Sequence, residues 1–176
     1  HDRTLDPDGV GEVEQWFRGP LLAEHAVTLP GSVQEQGIGD EVTLDTPWVG
    51  NIVDRSFFED EKYAPYREPG DVSVPFWLQP RVYYRGLVWY QLEIDVPAEW
   101  DERRVLLELE RVHWESTVWI DGRRVGAERS LSTPHVHDLG LLSPGTHLLT
   151  LRVDNRMIVD VGPNAHSVTD HTQGSW

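Results

Sequence analysis

The chain contains no cysteine, which excludes disulfides, thiolate zinc sites and a cysteine nucleophile together. It has no apolar run approaching the roughly 18 residues that a membrane helix needs, and no stretch shaped like a secretory leader. A mature chain has already lost any leader, so the compartment stays open. Cations are scarce: 15 Lys and Arg stand against 30 Asp and Glu, a formal charge of −15 with a pI near 4.8. Such a surface repels phosphate backbones and anionic lipid, so neither nucleic acid nor a membrane is an expected partner. Neutral sugars and other protein domains remain, and acidity by itself also serves plain solubility.

What is present suits a packed domain. The 176 residues are 39% hydrophobic, enough for one buried core and too apolar for wholesale disorder. Eight tryptophans are a high number for this length. A flat indole face matches the apolar face of a pyranose ring, and it serves equally well as a core or interface anchor.

The second half reads as strands. Leu87 to Val96 is rich in aromatic and β-branched residues and is closed by Pro97. Arg104 to Val112 alternates with a period of two, as a half-buried strand does. Ser116 to Ile120, Asp121-Gly122 and Arg123 to Val125 form a hairpin pattern, because Asp-Gly tolerates positive φ at both central positions. His135 to Asp138 is a further short strand, and Thr146 to Val153 alternates again after the Ser143-Pro144-Gly145 turn. No amphipathic helix stands out after residue 86, so the pattern predicts an antiparallel β-sandwich.

The first half is looser. Ala26 to Leu29 is strand-like and ends in Pro30-Gly31. Residues 30–80 are punctuated by Gly and Pro and read as mostly irregular, with a short helix near Asn51 to Phe58. A stretch this long without periodicity makes sense if it wraps over the sandwich or docks onto something else. Residues 154–176 are also irregular. The whole chain, 1–176, is expected to form one domain.

Several segments resemble glycoside hydrolase family 2. Trp89-Tyr90-Gln91, within GLVWYQLEIDVP, is similar to the strand that marks the family's N-terminal sugar-binding domain. VHWESTVWIDGRRVG resembles the strand and hairpin that follow it. Pro134-His135 with Asp138-Leu139, and Pro144-Gly145-Thr146 with LLTLRVDNR, resemble the next two elements. Leu29-Pro30-Gly31-Ser32 matches an early segment, and HSVTDHTQGSW the closing one, which in the family continues into Asn-Gly-Ile. The likeness runs from about Leu5 to Trp176, with the pieces in the family's order. It implies an all-β, antiparallel jelly-roll β-sandwich of the galactose-binding-domain-like type. An immunoglobulin-like domain and a TIM barrel would follow it. Hydrolysis of β-glycosides with retention would then rest on two glutamates of that barrel, outside this chain.

The same resemblance implies that Asp170 reaches a sugar hydroxyl at the non-reducing end, with His171 and His166 beside it. A carboxylate accepts two hydroxyl hydrogen bonds and so fixes ring orientation. The bland alternative is a surface loop packed on a neighbouring domain. His166, Asp170 and His171, or His135, His137 and Asp138, also invite a metal reading. The first spacing lacks a helix or strand to fix the geometry that a metal site needs. The second puts His135 and His137 on one face of a strand, as zinc would need, but the resembling family has an aromatic or polar residue at position 137, which implies an exposed strand edge there. No metal and no cofactor is expected. Asp160 with Asp170, or Glu108 with Glu110, lacks the desolvation that an acid/base pair requires. Trp89, Trp114 and Trp119 are expected in or near the core, and Trp77, Trp100 and Trp176 nearer the surface. Three functions follow: an accessory domain of a retaining β-glycosidase, a free carbohydrate-binding module, or a spacer without a ligand.

Overall fold

The computed structural model describes residues 3–50, 52–76, 79–130 and 132–156. These fall into two compact units, one of residues 3–26 with 86–156, the other of residues 27–85.

The first unit is a sandwich of two antiparallel sheets. The larger sheet has the order β1 (Leu5–Asp6), β2 (Leu87–Val96), β7 (Gly145–Asp154), β4 (Glu115–Ile120) and β5 (Arg123–Arg129). The smaller pairs β3 (Arg104–Leu109) with β6 (His135–Leu141). β2 and β7 run together along their full length, from Leu87 opposite Asp154 to Val96 opposite Gly145. The β4–β5 hairpin turns on Asp121 and Gly122, both at positive φ (49° and 74°), the conformation that Asp-Gly favours and that matches strand twist. Every strand anticipated after residue 86 is found, lengthened or shortened by a few residues at its ends.

Alternation along these strands fills the space between the sheets. Val118 and Ile120 of β4, Leu139 of β6, and Val96 and Leu142 form its buried centre, flanked by Val105 and Leu107 of β3 and Leu149 and Leu151 of β7. The other parity of the large sheet is covered as well. Trp89 of β2 and Trp119 of β4 stack at 5.2 Å, and Trp16 joins them from the N-terminal segment. Phe17 stacks on Trp119 at 5.0 Å. Both strand tryptophans are therefore core residues, Trp114 is half-buried and Trp100 is exposed, as anticipated. Trp77 and Trp176 lie outside the described residues.

Two polar side chains hold the N-terminal segment on this sheet. Asp6, fully buried, accepts from the backbone N–H of Val10 (2.8 Å) and Gly11 (2.9 Å) and from Trp89 Nε1 (2.9 Å). Its carboxylate thus begins the short helix α1 (Val10–Val13) and anchors an indole at once. Gln91 accepts from Leu21 N (2.6 Å) and donates to Gly19 O and Thr150 Oγ1 (both 2.9 Å). Gly11 has to be glycine, because a Cβ there would lie 2.7 Å from both the Trp16 and Trp89 rings.

The second unit has little regular structure. It holds α2 (Pro47–Gly50), α3 (Ser56–Glu59), a 3-10 segment at Glu61–Tyr66 and one antiparallel bridge between Asp40 and Tyr83. Its core is Val42, Trp48, Val49, Ile52, Phe57, Val72 and Val74, with Phe58, Tyr63 and Tyr83 packed around it. The helix anticipated over residues 51–58 is found over Ser56–Glu59, and position 51 is outside the described residues. Ala26 to Leu29 is not a strand. The Gln36 carboxamide accepts from Thr28 N (2.7 Å) and donates to Thr28 O (3.1 Å), taking both backbone groups that a ladder would use.

Candidate functional site

The residues expected to meet sugar, Asp170, His171 and His166, lie outside the described residues, as does Asp160. The polar groups that are placed form three clusters in the first unit.

The first is an ion network on the tryptophan-bearing face of the large sheet. Opposite residues on paired strands share a face, so Arg152 of β7 stands between Trp89 and Thr117. Arg152 pairs with Glu12, donates to Thr117 Oγ1 (3.1 Å) and Glu115 Oε1 (3.3 Å), and lies over the Trp119 ring at 5.9 Å. Glu115 is also held by Arg129 at 2.9 Å. These carboxylates are committed to cations, so the network braces the sheet and offers no free general acid or base.

The second cluster is the pair Asp121 and His147. His147 faces acceptors on both ring nitrogens, Asp121 Oδ2 at 2.6 Å and Ser143 O at 2.7 Å, and its pKa is raised, chiefly by the Asp121 hydrogen bond. Burial pushes the Asp121 carboxyl up, yet the His147 and Leu148 hydrogen bonds outweigh it and hold the pKa below the ordinary value.

The third is between the sheets. Ser116 Oγ of β4 sits 2.7 Å from His135 Nδ1 and 2.8 Å from His137 Nε2 of β6. All three residues are buried. This corrects the expectation of an exposed strand edge at His137: β6 alternates inward as His135, His137, Leu139, and the Ser116 hydroxyl satisfies the rings where a purely apolar wall would not. Asp138 points the other way and pairs with Arg104, so His135, His137 and Asp138 do not converge. Among the described residues no group of three or more His, Cys, Asp or Glu is placed to hold a metal ion. Glu108 and Glu110 are exposed, as their alternation indicates. In the sequence Ser116 is only the first residue of an expected strand; the signal for its buried place is the parity it shares with Val118 and Ile120.

Among the described residues no helix is long and apolar enough to cross a membrane. No family model matches the chain. It is similar to β-glucuronidase of Rattus norvegicus, 28% identical over 159 residues, covering 78% of this chain and 24% of that protein. The β-glucuronidase of Canis lupus familiaris is 29% identical over 155 residues, covering 77% and 24%. Among solved structures, β-glucuronidase of Ruminococcus gnavus superposes with a TM-score of 0.57 at 17% identity, covering 88% of this chain and 20% of that one. The same enzyme in complex with D-glucaro 1,5-lactone gives 0.56 at 16% identity, and at such identities the likeness speaks for the fold. The chain spans about a quarter of the length of the curated relatives it matches. Sandwich fold and sequence similarity together make it an all-β sandwich domain similar, over most of its length, to about a quarter of β-glucuronidase.

Proposed function

We propose that residues 1–176 act as the non-catalytic N-terminal domain of a retaining β-glycosidase, bracing the catalytic barrel and lending one loop to the sugar subsite. The single observation that carries this reading is the similarity to about a quarter of each β-glucuronidase, over most of this chain. The clusters of the sandwich agree with it. Arg152, Glu12 and Glu115 are spent on each other, and the carboxylates at 108 and 110 are solvated, which is the chemistry of a brace.

In this reading Asp170 hydrogen-bonds a hydroxyl of the terminal sugar, with His171 and His166 lining the same loop. An immunoglobulin-like domain and a TIM barrel belong to the same polypeptide, and the acid/base and nucleophilic glutamates lie on that barrel. The substrate is a β-glycoside; a β-glucuronide is the first one to try, since the relatives are β-glucuronidases.

The test is Asp170→Ala in the complete polypeptide. A lost hydrogen bond to a bound hydroxyl costs about 1.5–3 kcal/mol when the acceptor is charged, so kcat/KM should fall by roughly 10- to 150-fold. Wild-type kcat/KM in that variant would remove Asp170 from the site.

A free carbohydrate-binding module is the second reading. It is favoured by the partly exposed ring series of the second unit, in which Tyr63 lies 6.4 Å from Tyr66 and 6.0 Å from Phe76. It requires that the 176-residue chain alone bind an oligosaccharide at millimolar Kd or tighter, with a change in aromatic fluorescence. The accessory reading requires that such a titration stay flat.

A further inference from the structure

The Ser116, His135 and His137 cluster is absorbed by none of this. It is buried, it joins the two sheets, and its hydrogen bonds admit few arrangements of protons.

Ser116 has one hydroxyl hydrogen and two ring nitrogens to satisfy, so it donates to one histidine and accepts from the other. The far nitrogen of His135, Nε2, lies 3.0 Å from both the N–H and the C=O of Ser130. With both rings neutral, two directed chains satisfy these contacts. In one, Ser130 N–H donates to His135 Nε2, His135 Nδ1–H to Ser116 Oγ, and the Ser116 hydroxyl to His137 Nε2. In the other, His137 Nε2–H donates to Ser116 Oγ, the Ser116 hydroxyl to His135 Nδ1, and His135 Nε2–H to Ser130 O. Either chain keeps both Ser116 bonds when one ring gains a proton. A second proton is not accommodated. Both rings would donate to Ser116 Oγ, the hydroxyl hydrogen would lose its acceptor, and two cations would flank one oxygen between the sheets.

The groups facing the cluster do not relieve this. Glu128 of β5, opposite Ser116, is the carboxylate whose field favours a charged ring, and it is exposed. Leu107 and Leu109 of β3 lie opposite His137 and His135, and Val153 of β7 opposite Ser116; all three are apolar. The balance is visible at His137. Burial first, then His135, lowers its pKa against the opposing pull of Glu128.

We propose that His135, Ser116 and His137 form an acid-releasable latch between β4 and β6, holding the two sheets together near neutrality and letting go as the second proton arrives. For a histidine whose folded pKa is depressed, the unfolded chain binds the proton first. The stabilisation is fully present above the ordinary value of 6.5 and is lost as the pH falls below it toward the folded value. His147 has the opposite sign and cannot mimic this behaviour.

The test is urea unfolding of the 176-residue chain between pH 7.5 and 5.0, wild type against His137→Phe. One proton of linkage changes the folding equilibrium constant about tenfold per pH unit. The wild type should lose up to about that factor for each unit below 6.5, and the variant should lose correspondingly less. A variant as acid-sensitive as the wild type overturns the proposal. Imidazole NMR of the wild type gives an answer that does not depend on the variant's folding. His137 should keep its neutral signature below pH 6.5, the ordinary histidine value. If His137 becomes charged at or above 6.5 while the chain stays folded, the proposal is also overturned.

Discussion

The two units of this chain solve the same problem in different ways. In the sandwich, backbone donors and acceptors are paired by neighbouring strands, with β2 and β7 bonded over ten residues each. Among the described residues of 27–85 there is one isolated bridge, and side chains take over the work of a missing strand. Gln36 occupies both backbone groups of Thr28. Gln79 accepts from Val74 N (2.7 Å) and donates to Val72 O (3.0 Å), and Arg67 donates to Phe57 O (2.9 Å) and Asp60 O (3.2 Å). A carboxamide presents a carbonyl oxygen and an N–H side by side, as a peptide group does, so it can stand in for a strand neighbour. The difference teaches why one unit shows a periodic pattern and the other does not. A ladder imposes a period of two on its side chains, whereas a side-chain bond imposes only a single residue at a single place.

The largest expected effects set the two cores side by side. Trp119→Ala in the sandwich and Phe57→Ala in the second unit each remove a fully buried aromatic and should each cost about 3–5 kcal/mol of unfolding free energy. Phe57 is the hub of its unit, with Phe58, Tyr63 and Phe76 rings at 5.2 to 6.0 Å. Denaturant titration with tryptophan fluorescence measures both. A cost below about 1 kcal/mol for Phe57→Ala would mean that the irregular unit has no cooperative core of its own, and the parallel would break.

A smaller effect tests the polar anchoring. Asp6→Ala leaves the N–H groups of Val10, Gly11 and Trp89 without their acceptor and should cost about 3 kcal/mol. Hydrogen exchange should then rise at Val10 and Gly11 ahead of the β2–β7 ladder. Unchanged protection at those two amides would show that the aromatic packing alone holds the segment.

The smallest effect sharpens the contrast between histidines. Asp121→Asn keeps an acceptor for Leu148 N and removes the charge that favours protonated His147. Since the folded pKa of His147 is raised, its contribution is complete below 6.5 and fades as the pH rises through the folded value. The gap in stability between wild type and variant should therefore shrink from pH 6 to pH 9. A gap that grows over that interval contradicts the assignment.

Much of the sandwich was legible because its signals are local. The Asp121-Gly122 turn, the alternation of Val105, Leu107 and Leu109, and the Pro97 stop each follow from the residue and its immediate neighbours. The strand expected at Ala26 to Leu29 failed because its competitor, Gln36, lies eight residues from Thr28 and leaves no periodic trace. His137 was misplaced for a related reason. A histidine at an inward position looks polar until its partner is known, and Ser116 comes from another strand twenty-one positions away. Asp6 and Gln91 show the same limit, each acting through a fold-dependent contact. Asp170, His171 and His166 lie outside the described residues, so the proposal that they meet sugar still rests on the resemblance.

The proposed role makes this sandwich one part of a β-glycosidase whose chemistry lies elsewhere in the same polypeptide. The most direct measurement is the intact mass of the native protein, together with its coding sequence beyond Trp176. That role predicts a polypeptide several times the 20.2 kDa of this chain, continuing through Asn-Gly-Ile into the strand–helix alternation of a barrel. A native protein of 20.2 kDa, with a stop codon directly after Trp176, would contradict it.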